Sequence, residues 1–362
     1  MAEIAKDFGM LLPDDLAVRS ATDAHLRDRS ASTMALYFGG DPAADAALLH
    51  ELQEARIPIV PVVRSGDVLA NVLPVTTQAT NACFLDPTDA RLDALASVCL
   101  ESLGLLRRQR RVFVSYRRDE ARTVAVQLHD ELSGRGFDVF LDTHDIRPGE
   151  PFQEMLWHRL ADCDVVIMLD TKDYFGSKWT KQELGRSLAQ GIQVLRIIWP
   201  GHTPTRHLSL SDALQLTAAD IGADRRLTPA KIEEIVGRTE SVRSRSIASR
   251  HLYIAGSLRI EVERLGGRFE GIGVHRAIAL TLPNGLEIQA YPVVGVPTAE
   301  LLNDIQDKAL AAGHGRFPCL VYDHVGIRDA WLKHLSWLDS KITGVRTLKI
   351  YNAAWELAEW DS

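Results

Sequence analysis

Hydrophobic and polar positions divide the chain into blocks, and the clearest pattern lies between residues 110 and 201. Arg111-Val112-Phe113-Val114-Ser115-Tyr116 is a short apolar run. Behind it Ala121, Val124, Ala125, Leu128 and Leu132 recur at helical spacing within Asp119–Ser133, which predicts an amphipathic helix. Gly134-Arg135-Gly136 supplies the glycine that helices favour just past their ends. Phe137–Leu141 reads as a second strand, Phe152–Leu160 as a helix and Val165–Leu169 as a buried strand. A helix from Trp179 through Ala189 and a strand from Gln193 to Trp199 complete the block. Near-continuous apolar strands alternating with helices mean a parallel sheet covered on both faces.

Residues 1–109 carry a shorter version of this rhythm. Thr33–Phe38 is an apolar strand closed by Gly39-Gly40, Ala43–Ala55 has helical spacing, and Ile57–Val63 is a second strand. Strand, helix and strand in this order predict a βαβ unit, hence an N-terminal Rossmann-like α/β block. Ala82–Leu85 predicts a weaker strand and Asp89–Leu106 a closing helix. The basic cluster Arg107-Arg108-Gln109-Arg110-Arg111 complements that helix's dipole and marks a domain junction.

Residues 202–250 read as a linker with one short helix at Pro229–Gly237. Thr228 is placed as its N-cap, with proline in the first turn, and the polar stretch Ser241–Ser246 follows. Residues 251–362 read as a C-terminal α+β domain. Leu252–Leu265 predicts a helix, and Ala277–Leu280 and Leu286–Ala290 flank the hairpin signal Pro283-Asn284-Gly285. Helices at Thr298–Ala311 and Gly326–Leu338 enclose a strand at Pro318–Tyr322, and a last strand lies at Val345–Tyr351.

Composition narrows the function classes. At 362 residues the chain has room for two or three domains. Apolar residues make up 46% and charged residues 25%, which excludes a largely disordered chain. Lysine plus arginine total 41 against 48 acidic residues, a net charge of −7. A mildly acidic chain is not built to grip nucleic acid or an anionic membrane over a broad surface. No apolar stretch approaches the ~18–20 residues of a bilayer-spanning helix. Met1–Asp7 lacks the basic and apolar regions of a signal peptide, so the expected location is the cytoplasm. Cys83, Cys99, Cys163 and Cys319 are scattered without a CxxC pair, which points to buried reduced thiols rather than zinc or redox chemistry.

In open α/β sheets, ligands lie outside the carboxyl ends of the strands. In the 110–201 block those ends deliver Ser115, Tyr116, Arg117, Arg118 and Asp119, then Asp142, then Asp170 and the loop to Trp179. Trp179 and Glu183 are four apart and share one helical face. An indole beside a carboxylate can stack on a flat cationic ring while the acid reaches the attached sugar. The same spacing is also common on helices without a site.

Three motifs in this order carry a resemblance: Phe113-Val114-Ser115-Tyr116-Arg117-Arg118, Phe137-Asp138-Val139-Phe140-Leu141-Asp142 and Trp179-Thr180-Lys181-Gln182-Glu183. Residues 110–201, about a quarter of the chain, resemble a Toll/interleukin-1 receptor (TIR) domain of the NAD-cleaving branch. The resemblance implies a flavodoxin-like parallel sheet and a catalytic glutamate at Glu183. It also implies that Trp179, Tyr116 and Arg117 line a nicotinamide-ribose pocket, with Ser115 and Asp142 also among the substrate-binding residues. Thr143–Pro151 corresponds to the mobile gating loop, which holds Asp145, Arg147 and Gly149 without a defined role for each. NAD+ is then a substrate, and no cofactor or metal is expected. TIR–TIR self-association and an unidentified activating ligand or protein at the flanking domains are the partners the resemblance implies. Nicotinamide and ADP-ribose or a cyclic isomer are its products, in a role such as bacterial defence against phage or stress.

Other signals are weaker. Gly271-Ile272-Gly273 lacks the third glycine and a preceding strand of a dinucleotide fingerprint. No GxxxxGK[ST] loop occurs. His314, Cys319, Asp323 and His324 fit no standard metal-ligand spacing. The alternative from another class is a non-enzymatic TIR scaffold that recruits partners through the Thr143–Pro151 loop.

Overall fold

The apolar runs pair as expected in a computed structural model of the chain. The structure describes residues 17–26, 32–43, 45–55, 57–85, 92–141, 152–176, 185, 187, 190–202, 212–272, 274–313 and 315–360. The chain forms two compact units, Met1–Arg108 and Gln109–Ser362.

In the first unit β1 (Ala35–Phe38), β2 (Ile59–Val63) and β3 (Cys83–Phe84) form a parallel sheet in the order β1-β2-β3. The Ala46–Glu54 helix makes the crossover from β1 to β2. Tyr37, Leu49, Val63 and Leu73 form one small core, and Val60, Val62, Leu95 and Cys99 form another. Because side chains alternate along a strand, Val62 and Val63 serve different cores.

In the second unit β4 (Arg110–Ser115), β5 (Phe137–Leu141), β6 (Val165–Asp170), β7 (Gln193–Ile198) and β8 (Asp212–Gln215) are all parallel, in the order β5-β4-β6-β7-β8. This is the 2-1-3-4-5 order of doubly wound sheets. Every residue of β6 is buried, as a central strand covered on both faces requires. Val112, Val114, Val165, Ile167 and Leu169 pack with Leu128 and Leu132 of the Arg118–Ser133 helix. Phe113, Val166 and Met168 pack on the other face with Leu156 and Leu160 of the Phe152–Asp162 helix. Gly136, at φ +81°, makes the left-handed turn out of the 118–133 helix.

The region expected as a linker departs from the sequence pattern. Residues 212–215 add the fifth strand, and Pro229–Arg264 is one helix of 36 residues rather than two helices and a polar connection. Thr228 caps it as expected, its hydroxyl accepting from the Lys231 N–H at 3.4 Å. The polar stretch does not break the helix because Arg243, Ser244 and Ser246 within it are buried and partnered. Arg243, fully buried, donates from Nε to Asp164 at 3.0 Å. Ser244 donates to the Glu240 carbonyl at 3.0 Å, and Ser246 accepts the Gln193 N–H at 3.1 Å. Ile232, Ile235, Val242, Ile247, Ile254, Leu258 and Val262 continue the buried stripe.

The helix then supports a second sheet of β9 (Arg268–Ile272), β10 (Ile278–Thr281), β11 (Glu287–Val293), β12 (Phe317–Tyr322) and β13 (Arg346–Lys349), in the order β13-β12-β11-β10-β9. β9, β10 and β11 run antiparallel, while β11, β12 and β13 run parallel. The expected β10–β11 hairpin forms, with Gly285 at φ +88° and the Asn284 side chain accepting the Leu286 N–H at 3.1 Å. The expected helices appear at Ala299–Ala312 and Asp329–Asp339. Among the described residues no helix is long and apolar enough to cross a membrane.

His251 of the long helix is 7% exposed, and burial, aided by the Arg276 guanidinium, pushes its pKa down to about 3. The unfolded imidazole titrates near 6.5, so below that pH the unfolded chain binds a proton the folded chain refuses. Stability from this group is full above about pH 6.5 and is lost as pH falls toward 3. Between pH 6.5 and 5 the loss is on the order of 2 kcal/mol. Denaturant titrations at the two pH values should therefore show a smaller acid loss in His251→Leu than in the unsubstituted chain; equal losses would refute the assignment.

Candidate functional site

The strand order reverses between β4 and β6. The chain leaves β4 toward β5 on one side and returns to β6 on the other, so the crevice beyond the carboxyl ends of these two strands is the topological switch point. Ser115 and Met168 are paired across it. Two groups from the β4 end and one short turn from the β6 end meet there.

Ser115 is 1% exposed, and its Oγ lies 2.7 Å from the Tyr174 hydroxyl. Tyr174 is fully buried and packs with Phe113, Met168 and Leu156, its ring edge-to-face with Phe175 at 5.1 Å. Tyr116 points the other way along the strand and is 2% exposed in the core that holds Val124 and Leu128. Arg117 is the extended residue before the 118–133 helix. Its Nη1 donates to the Asp173 carbonyl at 2.6 Å.

Beside this crevice, Asp170 ends β6 with a fully buried carboxylate. Arg196 of β7 donates to it at 2.6 Å, and the His202 ring nitrogen lies 3.3 Å from its other oxygen. Sequence inspection gave Arg196 no role, because a lone arginine in an apolar strand has no local signal for its partner 26 residues earlier. Its burial opposite a carboxylate fixes the strand ends that frame the crevice.

Glu183, Trp179, Asp142, Asp145, Arg147 and Gly149 lie outside the described residues. Gly185 and Ser187 are helical and Ser187 is fully buried. Gln190 donates to the Val325 carbonyl at 2.9 Å. The Phe152–Asp162 helix, which follows the segment expected to gate the pocket, also meets the second sheet's end. Asp162 accepts the Val296 N–H at 2.9 Å, and the Arg328 guanidinium lies 3.2 Å from the Met155 sulfur. Burial, reinforced by Arg328, Arg159 and Arg111 against Asp162, pushes the His158 pKa down to about 4 and keeps that ring neutral. Among the described residues no group of three His, Cys, Asp or Glu side chains could hold a metal ion.

A buried tyrosine–serine pair and, outside it, the Arg117 guanidinium thus lie at the carboxyl end of the β4–β6 strand pair. Comparison with known proteins places this sheet. Residues 112–235 match the TIR domain family. Over 89 residues the chain is 34% identical to the protein named probable 2' cyclic ADP-D-ribose synthase BdTIR, from Brachypodium distachyon. That stretch is 24% of this chain and 40% of the relative, so the chain spans less than half the length of that curated protein. Among solved structures, the Clostridium botulinum CMP N-glycosidase BcmB aligns over 36% of this chain and 98% of its own, at 16% identity. Its TM-score of 0.26 carries no argument.

Proposed function

We propose that this chain, a TIR-domain protein by its residues 112–235, cleaves the nicotinamide–ribose bond of NAD+. Nicotinamide in NAD+ is already a cationic leaving group, so the step needs neither a strong general acid nor a bound cofactor. The bond breaks as the ribose takes up positive charge in an oxocarbenium-like transition state. Glu183 is the carboxylate assigned to stabilise that charge and to bind the ribose hydroxyls. Trp179 supplies an indole face for the pyridinium ring, and Asp142 stands at the pocket edge. Ser115 acts from beneath, as its burial fits a floor rather than a wall, and Tyr116, turned into the opposite core, braces the strand end instead of lining the pocket. The Thr143–Pro151 segment, with Asp145, Arg147 and Gly149, closes over the bound dinucleotide.

The observation that carries this reading is the convergence of Ser115, Arg117 and the Tyr174 turn on the switch point of a TIR sheet, at the entry to the Trp179–Glu183 segment. A relative named as a probable cyclic ADP-ribose synthase supports a cyclic ADP-ribose isomer among the products, alongside ADP-ribose. Water attacking the ribosyl cation gives the linear product, and an adenine nitrogen or ribose hydroxyl of the same molecule gives the ring. Self-association completes the pocket in this proposal, and the flanking regions control it in response to a trigger such as phage infection or stress.

The test is to incubate the purified chain with NAD+ over a hundredfold range of protein concentration and to separate the products chromatographically. The expected result is one ADP-ribosyl product per nicotinamide, with specific activity rising with protein concentration. Intact NAD+ at every concentration, together with stable binding of a second TIR chain, would instead identify a scaffold.

A further inference from the structure

We infer that Arg117 is a positioning residue that fixes the turn leading to Trp179 and Glu183, rather than a side chain that lines the nicotinamide–ribose pocket. The inference rests on the role of Glu183 proposed above. The turn leaves β6 at Asp170 and bends through Tyr174–Gly176. Two bonds from the β4 side tie it down. From below, Ser115 engages the Tyr174 hydroxyl at 2.7 Å in a fully buried setting. From outside, Arg117 donates to the Asp173 carbonyl at 2.6 Å, a distance typical of a charge-assisted bond.

That same carbonyl accepts the Gly176 N–H at 2.8 Å. Both of its lone pairs are then used, one to close the turn and one to hold the turn against the 118–133 helix. Gly176 makes room for this arrangement. A Cβ at position 176 would lie 2.7 Å from Arg117 Nη1, and, its chain neighbours aside, the guanidinium is all it would meet within 4 Å among the described residues. Gly176 is not in the left-handed backbone region, so an alanine there acts on the clamp without backbone strain. Three residues downstream of Gly176 comes Trp179, and four further on Glu183. Small misplacements of reacting groups are costly in rate.

The experiment compares Arg117→Ala, Arg117→Lys and Gly176→Ala by two readouts. Hydrogen exchange of the 171–176 amides reports the clamp itself and does not depend on catalysis. Steady-state nicotinamide release from NAD+ separates kcat from KM. In Arg117→Ala the amides should exchange about tenfold faster or more, as for loss of a charged hydrogen bond. Its kcat should fall about tenfold or more with KM within about twofold, the signature of lost positioning rather than lost ground-state binding. Gly176→Ala should reproduce both changes by displacing the guanidinium. Arg117→Lys should recover part of each, since an ammonium can still donate to one carbonyl.

Unchanged exchange in Arg117→Ala and Gly176→Ala overturns the inference, as does a raised KM with kcat intact, which would make Arg117 a substrate contact. Should the unsubstituted chain release no nicotinamide, the proposed function fails on its own, and the exchange rates still decide whether the clamp exists.

Discussion

Replacement of Glu183 with alanine or glutamine is expected to lower nicotinamide release about a thousandfold, the scale of removing one group aimed at developing charge. The melting transition should stay in place. The direction follows from the chemistry of the bond. Nicotinamide departure leaves a ribosyl cation, and a carboxylate held near the ribose would stabilise that charge. Glutamine keeps the size and the hydrogen bonds to ribose hydroxyls but loses the charge. A glutamine variant as slow as the alanine variant therefore isolates the electrostatic contribution. A glutamine variant close to full activity would show that Glu183 binds sugar without stabilising the cation. The measurement is kcat/KM for nicotinamide release beside a thermal melt of each variant.

The second large effect is on stability. Arg243→Leu is expected to destabilise the Gln109–Ser362 unit by about 3–5 kcal/mol, the usual cost of removing one partner from a buried ion pair. Arg243 and Asp164 are both fully buried, with Nε 3.0 Å from Oδ2, and Glu240 stands 3.5 Å from the same guanidinium. Asp164 also accepts the Arg111 N–H at 3.0 Å, and Glu240 is bonded by Arg110 at 2.8 Å. Without Arg243, two carboxylates stay in a low-dielectric junction with less positive charge between them. For a unit of this size the loss corresponds to a melting shift of about 10 °C. The double variant Arg243→Leu, Asp164→Leu should recover part of it, because an apolar pair leaves no stranded charge. A single variant that melts within about 1 kcal/mol of the parent would show that the pair is not what joins the long helix to β4 and β6.

The parallel sheet was legible because its strands are unbroken apolar runs, of which Val165–Leu169 is the plainest. The β10–β11 hairpin was legible because Pro283-Asn284-Gly285 has turn chemistry of its own. The long helix was not. Ser241–Ser246 looks like solvated connection in sequence, and only the partners at Asp164 just before β6 and Gln193 of β7, with the helix's own Glu240 carbonyl for Ser244, make Arg243, Ser244 and Ser246 core residues. Short strands were missed for a related reason. In β9 every position is at least partly exposed, and in β8 only Leu214 is buried, so neither shows an apolar run.

At the site, the motif around Ser115, Tyr116 and Arg117 marked the right strand end, but sequence could not say which way each side chain turns. Alternation along β4 sends Ser115 and Tyr116 into opposite cores. Tyr174, 59 residues from Ser115, had no signal that would join them.

The most direct measurement uses NAD+ carrying a label in the nicotinamide ring. The label is followed into free nicotinamide for the unsubstituted chain and for Glu183→Gln, both at a concentration that forces association. Release by the first and near-silence in the second is the result predicted here. Equal release by both, or labelled NAD+ left whole by both while each remains folded, would contradict it.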